Sequence, residues 1–317
     1  MEPVKTLSKG QRLKKVILVV ILMDLLALPG CSYKSMQKFT LKTDHLVNVV
    51  KKPPEVANYA RDVVWASPGG ENLLLDVSWP AGDGPYPIVV NIHGGAFFLD
   101  TKAIDEALCR YLTNRGYTVF NINYRLAPQH QFPAAVNDSL GAVIWAKAHA
   151  REYKGDPSRV AVSGGSAGGN LVGMVALAWD DPFFTPTFTA PGLDASVQAA
   201  VAIFAVWDMT TMSHPGDKGE NPYLGATIED RRDLFEKASP IFYLDRKSIP
   251  PMMLVCGDKD GLYPQSEKVA KILQGKGVPS EFYTAHGKGH AFTNWHWQAE
   301  AQKAYAAIGD WLDQQLK

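Results

Sequence analysis

The chain has few cysteines and no excess of charge of either sign. Its 317 residues include three cysteines, and these form neither a C-x-x-C pair nor a zinc-binding spacing. Its 32 basic residues balance 32 acidic ones, and no basic stripe interrupts the sequence. The pattern therefore argues against a structural zinc site and against nucleic acid as a partner. We expect neither a metal nor another cofactor, and the composition leaves the oligomeric state open.

The sequence also lacks an apolar run long enough to cross a membrane. The longest run near the N-terminus covers residues 16–28 and is interrupted by Asp24, whereas a spanning helix needs about 20 residues. A basic region precedes this run, and Leu28-Pro29-Gly30-Cys31 ends it. The pattern resembles a bacterial lipoprotein signal peptide over residues 1–31.

Cleavage of such a signal would leave Cys31 as a lipid-bearing N-terminus. Lipid chains on Cys31 would tether the mature domain to a membrane of a bacterial cell envelope, and Ser32 favours the outer membrane in an organism that has one. Ordinary signal cleavage and an uncleaved anchor are the alternatives, because Pro29 is unusual in a lipoprotein signal.

Internal repeats and low-complexity tracts are absent, and 46% of the residues are hydrophobic, which is enough for one large core. Residues 32–60 are predicted to be a linker with a possible cap segment, and residues 61–317 a single domain. Within that domain strand-like and helix-like stretches alternate. Strands are predicted at 62–66, 73–79, 87–92, 117–123, 159–163, 197–206, 251–256 and 280–285, and helices at 133–150, 264–275 and 297–316.

Such alternation predicts an α/β fold with a mostly parallel, doubly wound sheet and helices on both faces. Ligands of such sheets bind outside the carboxyl ends of the strands. The segment at about 207–243 loses periodicity and is predicted to be an insertion over the site. Its aromatic residues Trp207, Tyr223 and Phe235 are expected either in the pocket or in the core.

A serine lies where an apolar strand, a glycine-rich turn and a helix meet. The strand ends at Ser163, the turn is Gly164-Gly165-Ser166-Ala167-Gly168, and residues 170–177 read as a buried helix. A serine at such an elbow has a strained backbone, and the glycines on either side let the helix approach the strand closely. The pattern predicts a nucleophile at Ser166, with an ordinary strand-to-helix loop as the alternative.

A second pair of glycines follows the strand at 87–92. Acyl transfer requires hydrogen-bond donors where the oxyanion develops, and Gly94 and Gly95 supply N–H groups with no side chain in the way. Together with the N–H of Ala167, they are predicted to form an oxyanion hole. His93 is expected to hold this loop by hydrogen bonds, because the order on this kind of fold is nucleophile, acid, base.

Four motifs together resemble the hormone-sensitive-lipase-like carboxylesterases and their bacterial esterase relatives, which belong to the α/β-hydrolase superfamily. They occur in the family's order at residues 93–95, 124–128, 156–160 and 164–170. The resemblance implies an α/β-hydrolase fold with a small cap or insertion. Two positions depart from the family pattern: Ala96 stands where a third glycine is usual, and Gly165 stands where an acidic residue is usual.

Two aspartates follow the next-to-last predicted strand, and two histidines follow the last one. Either Asp258 or Asp260 could be the catalytic acid, and for each taken alone the alternative is an ordinary solvated turn residue. The resemblance selects Asp260 as the acid and His290 over His286 as the base. His290 would then take the proton of Ser166 and later give it to the leaving alcohol, while Asp260 fixes the tautomer of the imidazole.

The expected function is that of a serine carboxylesterase acting on small to medium carboxylic esters through an acyl-enzyme. The resemblance admits acetylated or aromatic esters of sugars and plant polymers without ranking them. One alternative is a peptidase of the prolyl-oligopeptidase type, although such enzymes usually carry a propeller domain for which this chain has no room. The other is a catalytically silent envelope lipoprotein that uses the same fold as a binding module.

Overall fold

The computed structural model describes residues 51–212 and 219–317. The predicted signal peptide and lipidation site at Cys31 lie outside the described residues. Within the described ranges, no helix has both the length and the apolar character needed to cross a membrane.

Eight strands form one sheet in the order β1-β2-β4-β3-β5-β6-β7-β8. Strand β2 runs antiparallel to both of its neighbours, β1 and β4, and all other neighbouring pairs are parallel. The strands are β1 Asn58–Ala66, β2 Leu73–Trp79, β3 Tyr86–Ile92, β4 Thr118–Ile122, β5 Gly155–Gly165, β6 Ala199–Ile203, β7 Met252–Gly257 and β8 Ser280–Ala285.

Helices cover both faces of this sheet. Helices α1 and α6 pack on one face, and α2, α3 and α5 pack on the other. The α-helices of the described residues are α1 Glu106–Asn114, α2 Ala134–Ala148, α3 Ala167–Ala178, α4 Arg232–Lys237, α5 Tyr263–Gly275 and α6 Ala299–Leu316. The predicted doubly wound α/β fold is therefore confirmed.

The central strands are apolar along their whole length because both of their faces are buried. In β3, Ile88, Val90 and Ile92 contact the core beneath α2 and α3, whereas Val89 faces the core beneath α1 and α6. The two cores are thus separated by the sheet. Their packing leaves the carboxyl ends of β3, β5, β6 and β7 at one edge, where the loops that follow them meet.

Element boundaries differ from the sequence prediction in several strands. Strand β5 begins at Gly155 instead of residue 159. Strand β1 begins at Asn58, so the end of the predicted linker already belongs to the sheet. Strand β6 covers only Ala199–Ile203, because the next residue, Phe204, has a positive φ of 36° that ends the extended conformation.

The segment at 207–243 contributes to the core as well as to the site. Its described residues, 207–212 and 219–243, contain α4 and two short 3₁₀ turns, Met209–Thr211 and Pro240–Tyr243. Trp207 and Phe235 are fully buried core residues, whereas Tyr223 is buried and also lines the site cavity described below.

Candidate active site

Ser166 lies at a sharp turn between β5 and α3. Its backbone has φ 57° and ψ −118°, a conformation that residues other than glycine rarely adopt. The turn is possible because the chain comes very close to β3. A Cβ on Gly164 would lie 2.5 Å from the carbonyl oxygen of Ile92, and one on Gly168 would overlap that oxygen and lie 2.6 Å from the carbonyl oxygen of His93. Both glycines are therefore sterically required at this elbow.

Three side chains from distant parts of the sequence form a hydrogen-bonded chain. His290 Nε2 lies 2.9 Å from Ser166 Oγ, and His290 Nδ1 lies 2.8 Å from Asp260 Oδ2. Ser166 follows β5, Asp260 follows β7 and His290 follows β8, so the parallel strands deliver all three to one edge of the sheet. With Nδ1 donating to the carboxylate, Nε2 is the nitrogen that accepts a proton from the serine hydroxyl.

The carboxylate of Asp260 is held on its other side as well. Its Oδ1 accepts a hydrogen bond from the backbone N–H of Leu262 at 2.9 Å. Its side chain is only 1% exposed, whereas the side chain of His290 is 43% exposed. The acid is thus fixed in the protein interior while the imidazole faces the cavity.

Asp258 and His286 form a second pair, separate from the first. His286 Nδ1 lies 3.1 Å from Asp258 Oδ2, and the N–H of Gly287 donates to Asp258 Oδ1 at 2.7 Å. The His286 side chain is 85% exposed. The hydrogen bond from His286 to Asp258 is the main reason why the pKa of the Asp258 carboxyl lies below its usual range. Each of the two loops after β7 and β8 therefore supplies one member to each pair, and only the pair of Asp260 and His290 reaches Ser166.

The loop after β3 runs beside the nucleophile. A Cβ on Gly94 would lie 3.5 Å from Ser166 Cβ, and Gly95, Ala96 and Phe97 all have positive φ values. For Gly95 this is accompanied by close packing, because a Cβ there would overlap the carbonyl oxygen of Leu99. Within the described part of the chain, we find no acceptor for the N–H groups of Gly94, Gly95 and the first helical residue, Ala167. Gly94 and Gly95 line one cavity together with Ser166, and Ala167 lines the other.

His93 supports this loop from below. It is fully buried, its Nδ1 lies 2.6 Å from the carbonyl oxygen of Gly94, and its ring stacks on Tyr124 at a centroid distance of 4.3 Å. Burial lowers the pKa of His93 to about 4, so the imidazole is neutral near pH 7. This agrees with the expectation that His93 holds the loop.

Two unequal cavities meet at Ser166 and His290. The larger has a volume of about 690 Å³, and Asp260 is the one charged side chain among its described lining residues. Most of its other side chains are apolar or aromatic: Ala96, Phe97, Phe98, Val206, Met209, Met212, Pro222, Tyr223, Leu262 and Pro264. The rings of Phe97 and Tyr223 stack in parallel at 3.8 Å, which ties the loop after β3 to the predicted insertion.

The smaller cavity has a volume of about 260 Å³ and lies on the side of Gly165 and Phe204. Asp105 contributes to its wall, and burial raises the pKa of this carboxyl to about 6. A buried polar row connects it to the strand of the nucleophile. Ser163 Oγ donates to Asn91 Oδ1 at 2.8 Å, and Asn91 Nδ2 donates to Asp105 Oδ2 at 3.2 Å. The signal for this row in the sequence is a polar residue within an apolar run of each strand, Asn91 in β3 and Ser163 in β5.

The described residues contain no cluster of histidine, cysteine, aspartate and glutamate side chains that could hold a metal ion. Cys109 and Cys256 are both buried and reduced. Burial raises the pKa of the Cys256 thiol to about 12.

Comparison with known proteins identifies the family. Residues 75–273 match the BD-FAE family, which is more than half of the chain. The chain belongs to the BD-FAE family. It is also 32% identical over 220 residues to an arylesterase of Saccharolobus solfataricus, covering 65% of this chain and 68% of the arylesterase. The resemblance to hormone-sensitive-lipase-like esterases is thereby confirmed.

Two further comparisons extend this result to other members of the fold. Esterase LipQ of Mycobacterium tuberculosis is 28% identical over 256 residues, which are 77% of this BD-FAE family chain but 60% of LipQ, so the chain spans less than two thirds of that relative. The structure of a hyperthermophilic esterase from Pyrobaculum calidifontis superimposes with a TM-score of 0.73 at 25% identity, covering 95% of this chain and 98% of that one. The two proteins thus share the α/β-hydrolase fold.

Proposed function

We propose that this protein is a serine carboxylesterase that hydrolyses small to medium carboxylic esters. One observation carries the proposal: Ser166, His290 and Asp260 form a continuous hydrogen-bonded chain with separations of 2.9 and 2.8 Å at the mouth of a largely apolar cavity. The esterase names of the arylesterase, LipQ and Pyrobaculum relatives support the same reaction class.

In the first half of the reaction Ser166 Oγ attacks the ester carbonyl while His290 Nε2 accepts the hydroxyl proton. Negative charge then develops on the carbonyl oxygen, where the amides of Gly94, Gly95 and Ala167 donate hydrogen bonds. The imidazolium returns the proton to the leaving alcohol. Asp260 stabilises that imidazolium and keeps Nδ1 protonated.

In the second half water attacks the acyl group on Ser166. His290 deprotonates this water, and the tetrahedral intermediate collapses to release the carboxylic acid and the free serine. The exposed edge of His290 gives water access from the cavity. The burial of Asp260 preserves the orientation of the imidazole in both halves.

The lining of the larger cavity favours uncharged substrates. Its described lining residues include no lysine or arginine, so among them an anionic group on the substrate would lose its hydration without gaining a cationic partner. Apolar and aromatic groups would instead pack on Phe97, Phe98 and Tyr223. Neutral aliphatic and aromatic esters are therefore the proposed substrate class.

The test is to measure kcat of the purified full chain for hydrolysis of p-nitrophenyl acetate and p-nitrophenyl butyrate. Ser166→Ala is expected to reduce kcat by about 10³-fold or more, because the covalent route is lost. The control is Ser158→Ala, which removes an exposed hydroxyl hydrogen-bonded to Asp156 and is expected to leave kcat unchanged. Equal activity of wild type and Ser166→Ala would contradict the proposal, and inactivity of the wild type on a broad ester panel would favour the binding-module alternative.

We further propose that the protein is anchored to a bacterial cell envelope by lipid on Cys31. The support is the order of the basic region, the apolar run and the cysteine. Cys31→Ser is expected to abolish incorporation of a labelled fatty acid and to release the protein from the membrane fraction. Unchanged fatty-acid labelling would exclude Cys31 as the acceptor, and unlabelled but membrane-bound wild type would favour an uncleaved anchor.

A further inference from the structure

The geometry points to Phe204 as a positioning residue for the base His290. This inference rests on the proposed ester hydrolysis and assigns a further residue to the same site. Phe204 is buried, and its ring packs against the imidazole of His290 with a centroid distance of 4.9 Å and an interplanar angle of 61°. The side chain of His290 is 43% exposed, and its hydrogen-bond partners Asp260 and Ser166 contact the edge of the imidazole.

The backbone at Phe204 is shaped to bring the ring to this place. Strand β6 ends at the preceding residue, and Phe204 has a φ of 36°, which is strained for a phenylalanine. Two hydrogen bonds hold this turn. The N–H of Phe204 donates to the carbonyl oxygen of Val255 at 2.6 Å, and the N–H of Ser166 donates to the carbonyl oxygen of Ile203 at 2.9 Å. The same turn therefore fixes both the ring and the nucleophile.

Gly165 provides the space that the ring occupies. A Cβ at this position would lie 2.8 Å from Cε2 and 3.1 Å from Cζ of Phe204, closer than side-chain carbons normally approach. The ring thus lies between the backbone of Gly165 and the imidazole of His290. The two positions are coupled, because a side chain on residue 165 would push the ring toward the base.

The ring has two effects on His290. The phenyl ring restricts rotation of the imidazole away from Asp260 and Ser166. It also excludes water from one side of the imidazole. The interaction free energy of an edge-on aromatic pair corresponds to a factor of about two to ten in a rate constant. Among the described residues, Asp260 contacts the imidazole directly, and Asp100 and Asp105 lie in the wall of the smaller cavity that His290 also lines.

The first test replaces the ring by an aliphatic side chain. In Phe204→Leu, kcat for p-nitrophenyl acetate, corrected for the fraction of sites that react with a fluorophosphonate, is expected to fall about threefold to tenfold. KM is expected to change less than about twofold, since the base does not bind the ester in the ground state.

The matched control is Phe120→Leu. Phe120 is equally buried, lies in β4 and contacts the rings of Trp145 and Tyr153 rather than any residue of the site. It is expected to lower the melting temperature without changing the corrected kcat or KM. The positioning role is refuted when Phe204→Leu behaves like this control. Absence of turnover by the wild type, in contrast, refutes the proposed function itself.

The second test uses the coupling between the two positions. Gly165→Ala alone is expected to reduce the corrected kcat by about tenfold or more, because its methyl group displaces the ring. In the double variant with Phe204→Leu the atoms that clash are absent, so the combined loss is expected to be no larger than that of Gly165→Ala alone. Losses that multiply would mean that Gly165 acts independently of the ring, and would overturn the proposed arrangement.

Discussion

The two aspartate–histidine pairs allow a sharp test of the acid. Asp260→Asn exchanges one carboxylate oxygen for an amide NH₂ of the same size, with little change in packing. In one orientation the NH₂ faces His290 Nδ1, while the amide oxygen keeps the hydrogen bond from the N–H of Leu262. Nδ1 must then accept, the proton moves to Nε2, and Nε2 donates to Ser166 instead of accepting its proton.

The other orientation of the amide is also costly. If its oxygen faces Nδ1, the NH₂ meets the N–H of Leu262, and a buried donor without an acceptor costs about 1–3 kcal/mol. The attraction between the carboxylate and the imidazolium is lost in both orientations. Together these effects predict a decrease in kcat of about 10³- to 10⁴-fold, which corresponds to about 4–5.5 kcal/mol in the activation barrier.

The assay is the steady-state hydrolysis of p-nitrophenyl butyrate, with active-site titration of each variant. Asp258→Asn is the control, because its partner His286 is exposed and neither residue contacts Ser166. We expect the control to keep kcat within about twofold of wild type. A large loss in Asp258→Asn together with near-normal turnover in Asp260→Asn would refute the assignment of the acid.

Three further predictions concern the elbow, the smaller cavity and the thiols. Gly168→Ala is expected to abolish turnover or folding, since its Cβ would overlap the carbonyl oxygen of Ile92. The control Gly275→Ala, at the end of α5, is expected to keep full activity because no atom lies within 4 Å of the added Cβ. An active Gly168→Ala would contradict the close approach of helix and strand. Asp105→Asn is expected to raise the free energy of unfolding by roughly 1–3 kcal/mol at pH 8 and to change it little at pH 4. The reason is that the pKa of Asp105 is raised to about 6 in the folded protein, so its protonated carboxyl stabilises the fold fully below about pH 4 and this contribution is lost as the pH rises through about 6. An equal difference in unfolding free energy between variant and wild type at pH 4 and pH 8, measured by urea titration, would argue against this. In Cys31→Ser, which lacks the third cysteine of the chain, Cys109 and Cys256 are expected to react with Ellman's reagent only after denaturation. Rapid reaction of this variant in the native state would show that they are accessible.

The core of the fold was predictable because the central strands carry a strong local signal. Strands β3 and β7 are buried on both faces, so each is a continuous apolar run in the sequence. Helix α1 was not predicted, although it packs on one face of the same sheet. Its first residue, Glu106, looks like a surface residue, and its burial depends on ion pairs with Arg110 one turn later and with Arg61 from β1.

The candidate site shows the same division between local and distant information. The elbow at Ser166 can be predicted because its glycines lie within two residues of the serine. The residue pattern alone left Asp258 and Asp260 open, since both follow the same strand and both pair with a histidine of the same loop. The contact of Phe204 with His290 was missed because a left-handed backbone angle creates it, and the only local signal is the absence of a side chain on Gly165.

The central claim is that the elbow serine is a working nucleophile. The most direct measurement is mass spectrometry of the full chain after treatment with a fluorophosphonate, with digestion to locate the adduct. The account predicts one adduct on Ser166 in the native protein and none in Ser166→Ala or after heat denaturation. An unmodified Ser166 in folded protein, or a stable adduct on a different serine, would contradict it.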